Sequence, residues 1–466
     1  MSLNGNRPKV VLISPKGPLY RHKGGIFGKG LRYMPLTFPT LASITPKELN
    51  IELVCLDEGI QNINAETLDA DLVGMTVITG SAPRAYELSA IFRRRNIPVV
   101  MGGPHVTLIP DDAQPHADAL VLGWAEISWP QLLSDWLAGE LKPRYSKQPD
   151  YGLETPLPDR SVLPSRSYLT NAVFEATRGC VFNCDFCVSP SAWGRKLWQK
   201  PVAHVIKDIE RLGKKRIIFV DLNIIANRKY ALELFHALIP LKVKWFGLAT
   251  TTLVNDAELL DTCARSGCTG LLMGLESIDP VVLKGMHKSF NKPENYAQVV
   301  DKLHAKGIAL QGCFIFGQDG ETMDVFEKTA QFAVDAGIDL PRFAISTPFP
   351  GTPLYRRLES EDRLLHKDWS LYDGQHCVFQ PTGMSPRELE SGTERAWKLA
   401  YSIVNCGKRL RRTAAPLALA LVTNYTYRYY AHHLDKFYTC DWGLAQPMLP
   451  QIRTTNPQST SGENNQ

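Results

Sequence analysis

Three thiols stand at Cys-x3-Cys-x2-Cys spacing in the stretch Arg178-Gly179-Cys180-Val181-Phe182-Asn183-Cys184-Asp185-Phe186-Cys187, directly after a run at 172–176 that is apolar but for Glu175. Three thiolates on one short loop hold three irons of a four-iron cluster. Electron-transfer clusters more often have a complete set of four Cys. With the fourth ligand missing from the loop, one iron stays open to bind and activate a substrate. The competing reading is a zinc or purely structural site. Zinc sites usually carry two Cys-x2-Cys or Cys/His pairs, and no second pair follows here.

Further polar and small residues fall where apolar runs end. Phe219-Val220-Asp221-Leu222-Asn223 closes one run with an acid and an amide, which either meet a ligand or cap the next turn. Met273-Gly274-Leu275-Glu276-Ser277 closes another with Glu276. In Phe314-Ile315-Phe316-Gly317, Gly317 either lets a ligand pass close to the backbone or makes a turn. Thr347-Pro348-Phe349-Pro350-Gly351-Thr352-Pro353-Leu354 reads as a rigid, shaped loop, because proline fixes φ.

The elements that must position these residues come in two alternations. Residues 8–140 carry short β-branched or aliphatic runs at 10–14, 51–55, 72–76, 98–101 and 119–122, with a helix expected over 83–95, Pro at its start. Strand–helix alternation predicts a parallel, doubly wound sheet, and five strands point to a flavodoxin-like (Rossmann-type) order. Ligands of such sheets sit at the carboxyl ends of the strands. Those ends hold Pro15-Lys16-Gly17, Thr79-Gly80-Ser81, Gly102-Gly103-Pro104-His105 and Gly123-Trp124-Ala125-Glu126, whose small residues let backbone approach a large flat ligand. Residues 141–170, with five Pro and no clear period, read as a linker. A second alternation follows, with strands expected at 173–176, 216–221, 245–250, 270–276, 309–316 and 342–346 and helices between them. Six β/α units predict a partial (β/α)6 TIM-like barrel with its chemistry at the C-terminal strand ends, where the cysteine loop falls. Beyond 350 the chain reads as a helical extension to 452, and 453–466 as a polar disordered tail.

Cys180, Cys184 and Cys187, with Phe186 before the last Cys, resemble the signature loop of radical S-adenosylmethionine (SAM) enzymes. The Gly-Leu-Glu-Ser element at 274–277, the loop 347–354 and the stretch 373–379 extend the likeness, and with the N-terminal sheet they resemble the cobalamin-binding subgroup. Hopanoid methylases, bacteriochlorophyll methylases and the anaerobic magnesium-protoporphyrin ester cyclase belong to that subgroup. The resemblance implies a [4Fe-4S] cluster on Cys180, Cys184 and Cys187, and SAM contacts from Phe186, Asp221, Asn223, Glu276 and Gly317. It implies cobalamin over Thr79, Gly80, Ser81, Gly102, Gly103, Gly123 and Glu126 of residues 1–140, and a radical SAM barrel over 171–350. The Asp-x-His-x-x-Gly pattern that supplies a lower axial ligand elsewhere is missing, so His105 reads as a loop residue. The implied reaction is reductive cleavage of SAM, hydrogen abstraction from an unactivated carbon and methyl transfer from cobalamin. Alternatives are oxidative cyclisation or rearrangement with the same cofactors, or an iron–sulfur redox or binding protein. Tyr372, Asp373 and His376 are candidates to meet the substrate.

Composition bounds the rest. At 466 residues the chain holds two or three domains. Its 44% hydrophobic and 21% charged content is ordinary for a soluble protein, and a net charge of +5 points to no nucleic-acid partner. Ten Cys, three in the loop and the rest scattered, do not read as a secreted disulfide framework. An oxygen-sensitive cluster fits a reducing cytoplasm, with an electron donor such as flavodoxin or ferredoxin implied by the resemblance. Residues 1–9 lack the apolar core of a signal peptide, and no apolar run reaches spanning length. Peripheral membrane contact stays open, because Arg409, Arg411, Arg412 and the tyrosines at 425–430 fit a lipid or tetrapyrrole substrate as well as a packed helix with solvated arginines.

Overall fold

A computed structural model describes residues 7–17, 33–147, 152 and 154–434. The first sheet is built from β1 (Lys9–Ser14), β2 (Glu52–Asp57), β3 (Leu72–Thr76), β4 (Val99–Gly102), β5 (Ala119–Leu122) and β6 (Arg144–Ser146). All are parallel, in the order β2-β1-β3-β4-β5-β6. The first five strands have the flavodoxin-like order. Period-two alternation sends Val11 and Ile13 of β1 to one face, against Leu88 and Phe92 of the helix Ala82–Arg94. Val10 and Leu12 go to the other, against Trp129 and Leu132 of the helix Ala125–Ala138. Both faces are covered, which is why these strands read as continuous apolar runs.

The stretch expected to be a bare linker differs from that reading. Arg144–Ser146 adds β6 to the sheet edge, with Tyr145 buried. Further along, Tyr168 donates to Asp57 of β2 at 2.9 Å. Arg160 grips Asp208 of the helix Val202–Leu212 through two bonds of 2.9 and 2.8 Å and lies over the Phe174 ring. Proline content signalled irregular backbone there, but not that long polar side chains would tie it to both neighbours.

The second sheet uses β7 (Val173–Phe174), β10 (Arg216–Phe219), β11 (Lys244–Leu248), β12 (Cys268–Glu276), β13 (Ala309–Phe316) and β14 (Arg342–Ile345), parallel and in sequence order. A small antiparallel pair, β8 (Thr177–Arg178) with β9 (Trp198–Gln199), brackets the cysteine loop. Among the described residues β7 and β14 do not pair, so the barrel is a half-barrel. Its outer strand β14 is covered by the helix Pro386–Ala400, whose Trp397 indole donates to Phe343 O at 2.9 Å. Tyr401 beyond it donates to Pro341 O at 2.9 Å.

The C-terminal region starts with a return to the first sheet, where Tyr355, Trp369 and Tyr372 join the core beside the helix Ala82–Arg94. It then forms the helices Pro386–Ala400, Ile403–Leu410 and Leu417–Ala431. Ser402 separates the first two of these by capping the second. The tail expected at 453–466 lies outside the described residues. No helix among the described residues is long and apolar enough to cross a membrane.

Candidate functional site

The cysteine loop leaves β8 through Gly179, whose φ is +95° and whose added Cβ would meet Lys196 O at 2.8 Å; only glycine fits there. The Cys187 N–H donates to Cys184 O at 3.2 Å, and the helix Val188–Trp193 begins directly after. The loop is braced from the segment beyond β12. Asp185 N donates to Met286 O at 3.4 Å, and Phe182 stacks on Phe290 with centroids 4.0 Å apart. Cys184 is buried, Cys180 and Cys187 half-buried. Burial pushes the Cys184 thiol up to about 12, against the pull of the nearby Lys288 charge. Burial also raises Cys180, and the field of Cys187 adds to it. The three sulfurs are thus electrostatic neighbours. Yet among the described residues no three His, Cys, Asp or Glu side chains converge as ligands of one metal ion do. Three thiols carried on one short loop are a donor set that fits a multi-iron cluster.

Lys288 was not singled out from the sequence. It is buried and ion-paired to Glu276, and its ammonium lies 5.8 Å from the Phe186 ring centre and 5.7 Å from that of Phe290. Glu276 ends β12 at a register shift, in the left-handed region with φ +65°. A Cβ on Gly274 would overlap both partners of the pair. Glu276 therefore spends its charge on Lys288 rather than presenting a free carboxylate.

Other expected contacts are redistributed. Asp221 accepts from the backbone N–H groups of Ala176 and Thr177, so it caps the strand end. Burial pushes it up to about 6 in spite of those bonds. Asn223, two residues on, is buried and its Oδ1 has no partner; an orphaned acceptor at the barrel mouth fits a ligand's ammonium group. Gly317 has φ +94° and a Cβ there would meet Leu389 at 2.7 Å. Its conformation serves a turn whose Cβ side is packed under the helix Pro386–Ala400. Tyr372 is a core residue whose hydroxyl donates to His366 O at 2.8 Å. Asp373 is paired with His376 at 2.8 Å.

A cavity of about 400 Å3 lies between the carboxyl ends of the first sheet and the half-barrel mouth. Gly102, Gly103, Gly123 and Glu126 line one side; Glu175, Thr177, Arg178, Val220 and Leu222 line the other. Gly123 (φ +73°) faces open space, with nothing within 4 Å of an added Cβ, so the floor is bare backbone that a flat macrocycle can approach. Thr79, Gly80 and Ser81 are not in this lining. They are buried beneath the turn Trp369–Leu371. His105, expected in a loop, is fully buried in a short helix, Pro104–Leu108, with Nε2 facing Tyr86 (3.1 Å) and Asp112 (3.3 Å). Glu126 is taken by Arg178 at 2.7 Å. The same guanidinium binds Glu175 at 2.9 Å and lies over the rings of Trp124 and Trp198. Burial alone would raise the Glu175 carboxyl, but Arg178 and Lys200 overcome it and hold the group down at about 2.

A three-thiol loop on a half-barrel, beneath a flavodoxin-like sheet, defines a radical SAM enzyme carrying a cobalamin domain. The Radical SAM superfamily model matches residues 174–333 and the B12 binding domain model residues 49–133. The chain is 31% identical to a bacteriochlorophyllide d C-12(1)-methyltransferase of Chlorobaculum tepidum, covering 82% of this chain and 85% of that one. It is 29% identical to the hopanoid C-2 methylase of Rhodopseudomonas palustris, covering 70% and 64%. The cobalamin-dependent SAM radical enzyme OxsB shares the fold at TM-score 0.65 and 17% identity, over 92% of this chain and 72% of that one. The chain belongs to the cobalamin-binding radical SAM enzymes, whose cofactors are a [4Fe-4S] cluster, SAM and cobalamin.

Proposed function

We propose that this enzyme transfers a methyl group to an unactivated carbon of a large apolar metabolite, a tetrapyrrole or polycyclic lipid. The observation that carries this reading is the glycine-floored cavity, whose barrel side includes Arg178 and Trp193, on either side of the cysteine loop. Radical generation and methyl delivery thereby adjoin one space. The relatives named for bacteriochlorophyllide and hopanoid methylation support the reaction and substrate class.

In this reading Cys180, Cys184 and Cys187 hold the cluster. The Phe186 ring and the orphaned Asn223 oxygen contact SAM. Glu276 acts through Lys288, fixing a positive charge beside the thiolates and the Phe186 ring. Gly102, Gly103 and Gly123 give cobalamin its floor, with residues 7–147 as its domain and 171–350 as the barrel. Together the bound cofactors supply a hydrogen-abstracting radical and a methyl donor. The protein positions them and keeps water from the cavity; because hydrogen leaves as an atom, no side chain need act as a base on the substrate. An external one-electron donor of the flavodoxin or ferredoxin type completes the system.

The test is anaerobic incubation of cluster- and cobalamin-loaded protein with SAM, reductant and bacteriochlorophyllide or hopanoid substrates. 5′-Deoxyadenosine, S-adenosylhomocysteine and a product heavier by one methyl group are expected together, and all three are lost in the Cys180→Ala/Cys184→Ala/Cys187→Ala variant. 5′-Deoxyadenosine with a product that gains no methyl overturns methylation in favour of the cyclase chemistry named for another relative, 28% identical over 60% of this chain.

A further inference from the structure

The helix Leu417–Ala431 buries one face and, among the described residues, leaves the other uncovered. Ala420, Asn424 and Ala431 are buried against the protein. At the complementary positions Leu417, Leu421, Val422 and Tyr425 are exposed, Leu417 and Val422 by 60% and 65%. Spacings of three to five residues place these four on one side of the helix. The preceding helix, Ile403–Leu410, adds Ile403 and Val404, exposed by 64% and 69%. Singly exposed apolar residues need no explanation, but six on two consecutive helices mark an interaction surface.

Charge says what this surface meets. Between Glu394 and Asp435 the chain has no acidic residue and seven Lys or Arg. Five of the seven are committed within the protein, beginning with Arg395, which pairs with Glu327, and Lys398, which pairs with Glu394. Arg409 is buried and donates to Ala400 O and to Asn424 Oδ1. Arg412 pairs with Asp301, and Arg428 donates to Tyr401 O. Lys408 and Arg411, just before the apolar helix, are exposed and have no acidic partner among the described residues. Exposed aliphatic residues, an aromatic side chain and two free basic residues, in a stretch whose own sequence carries no carboxylate, are the makings of an interfacial helix. At 15 residues, roughly 22 Å, the helix is too short to span a bilayer but long enough to lie in its interface.

We propose that this face docks the enzyme on an anionic lipid bilayer, with Leu417, Leu421, Val422 and Tyr425 in the acyl boundary and Lys408 and Arg411 on the headgroups. The proposal stands on the C-terminal surface alone, independently of the reaction assigned to the cavity.

The test is flotation of the full-length, cofactor-loaded protein with vesicles of phosphatidylcholine alone or mixed with phosphatidylglycerol. Binding is expected only to the anionic vesicles and to weaken with salt. Lys408→Glu/Arg411→Glu is expected to weaken it by roughly 30-fold or more, as two lost surface charges imply. Leu417→Glu/Val422→Glu, at exposed positions, is expected to abolish it while leaving thermal unfolding and iron content unchanged. Binding that survives both variants overturns the proposal. So does an absence of vesicle binding, whether light scattering then shows a dimer that Leu417→Glu/Val422→Glu dissociates, or hydrogen exchange shows the face protected by residues 435–466.

Discussion

A lysine inside the protein beside three thiols is costly, and its neighbours show how it is kept charged. Burial pulls Lys288 down, and the Glu276 and Cys184 charges overcome this to raise it above the ordinary lysine value. Truncating one member of such a pair leaves the other charged and desolvated. Lys288→Met is therefore expected to destabilise by about 3–5 kcal/mol, and Glu276→Gln/Lys288→Met to recover much of that loss; urea unfolding of the three proteins checks it. At this scale the sequence was legible where chemistry depends on spacing alone. Three cysteines within eight residues must share a loop. It was illegible where a role depends on which distant side chain arrives. Glu276 is claimed by Lys288, twelve positions on, Glu126 by Arg178, 52 positions on, and Asp221 by amides of a preceding strand. No local pattern records those arrivals.

At the scale of elements, the turn after β13 couples the half-barrel to the helices that cover it. Glu321 accepts from the N–H groups of Gly317 (2.7 Å) and Gln318 (3.0 Å), while its other oxygen is buried without a partner. Burial outweighs the two hydrogen bonds and pushes the carboxyl up to about 7. A raised carboxyl binds its proton more tightly in the folded state. Its contribution is therefore complete below the ordinary value of 4.5 and is lost as pH rises through 7. The melting temperature is expected to fall between pH 5 and about 8, and Glu321→Gln to flatten that slope in differential scanning calorimetry. Parallel strands were legible because, buried on both faces, they are long β-branched runs. The three-residue β6, with Tyr145 its one buried side chain, and the two-residue β8 and β9 were not, because elements so short exist only through their partners.

For the whole molecule, the decisive contact is Arg178, which joins Glu175 of the half-barrel to Glu126 of the first domain. Arg178→Met is expected to leave Glu126 buried without its partner and Glu175 with Lys200 alone, at a cost of about 3–5 kcal/mol, and to lower cobalamin retention on gel filtration more than iron content. Equal loss of both would mean that the cysteine loop itself had collapsed. Three-part organisation was legible from composition and alternation, but the return of Tyr355, Trp369 and Tyr372 to the first sheet was not. Aromatic content marks residues for burial without saying against which half.

Arg178 is also covalently next but one to Cys180. The rivet between the two halves and the proposed mount of the iron cage are thus one short length of backbone, paired with the neighbouring β9 strand. If the cluster sits on Cys180 as proposed, any displacement of the first domain is passed through two residues of backbone to its first sulfur.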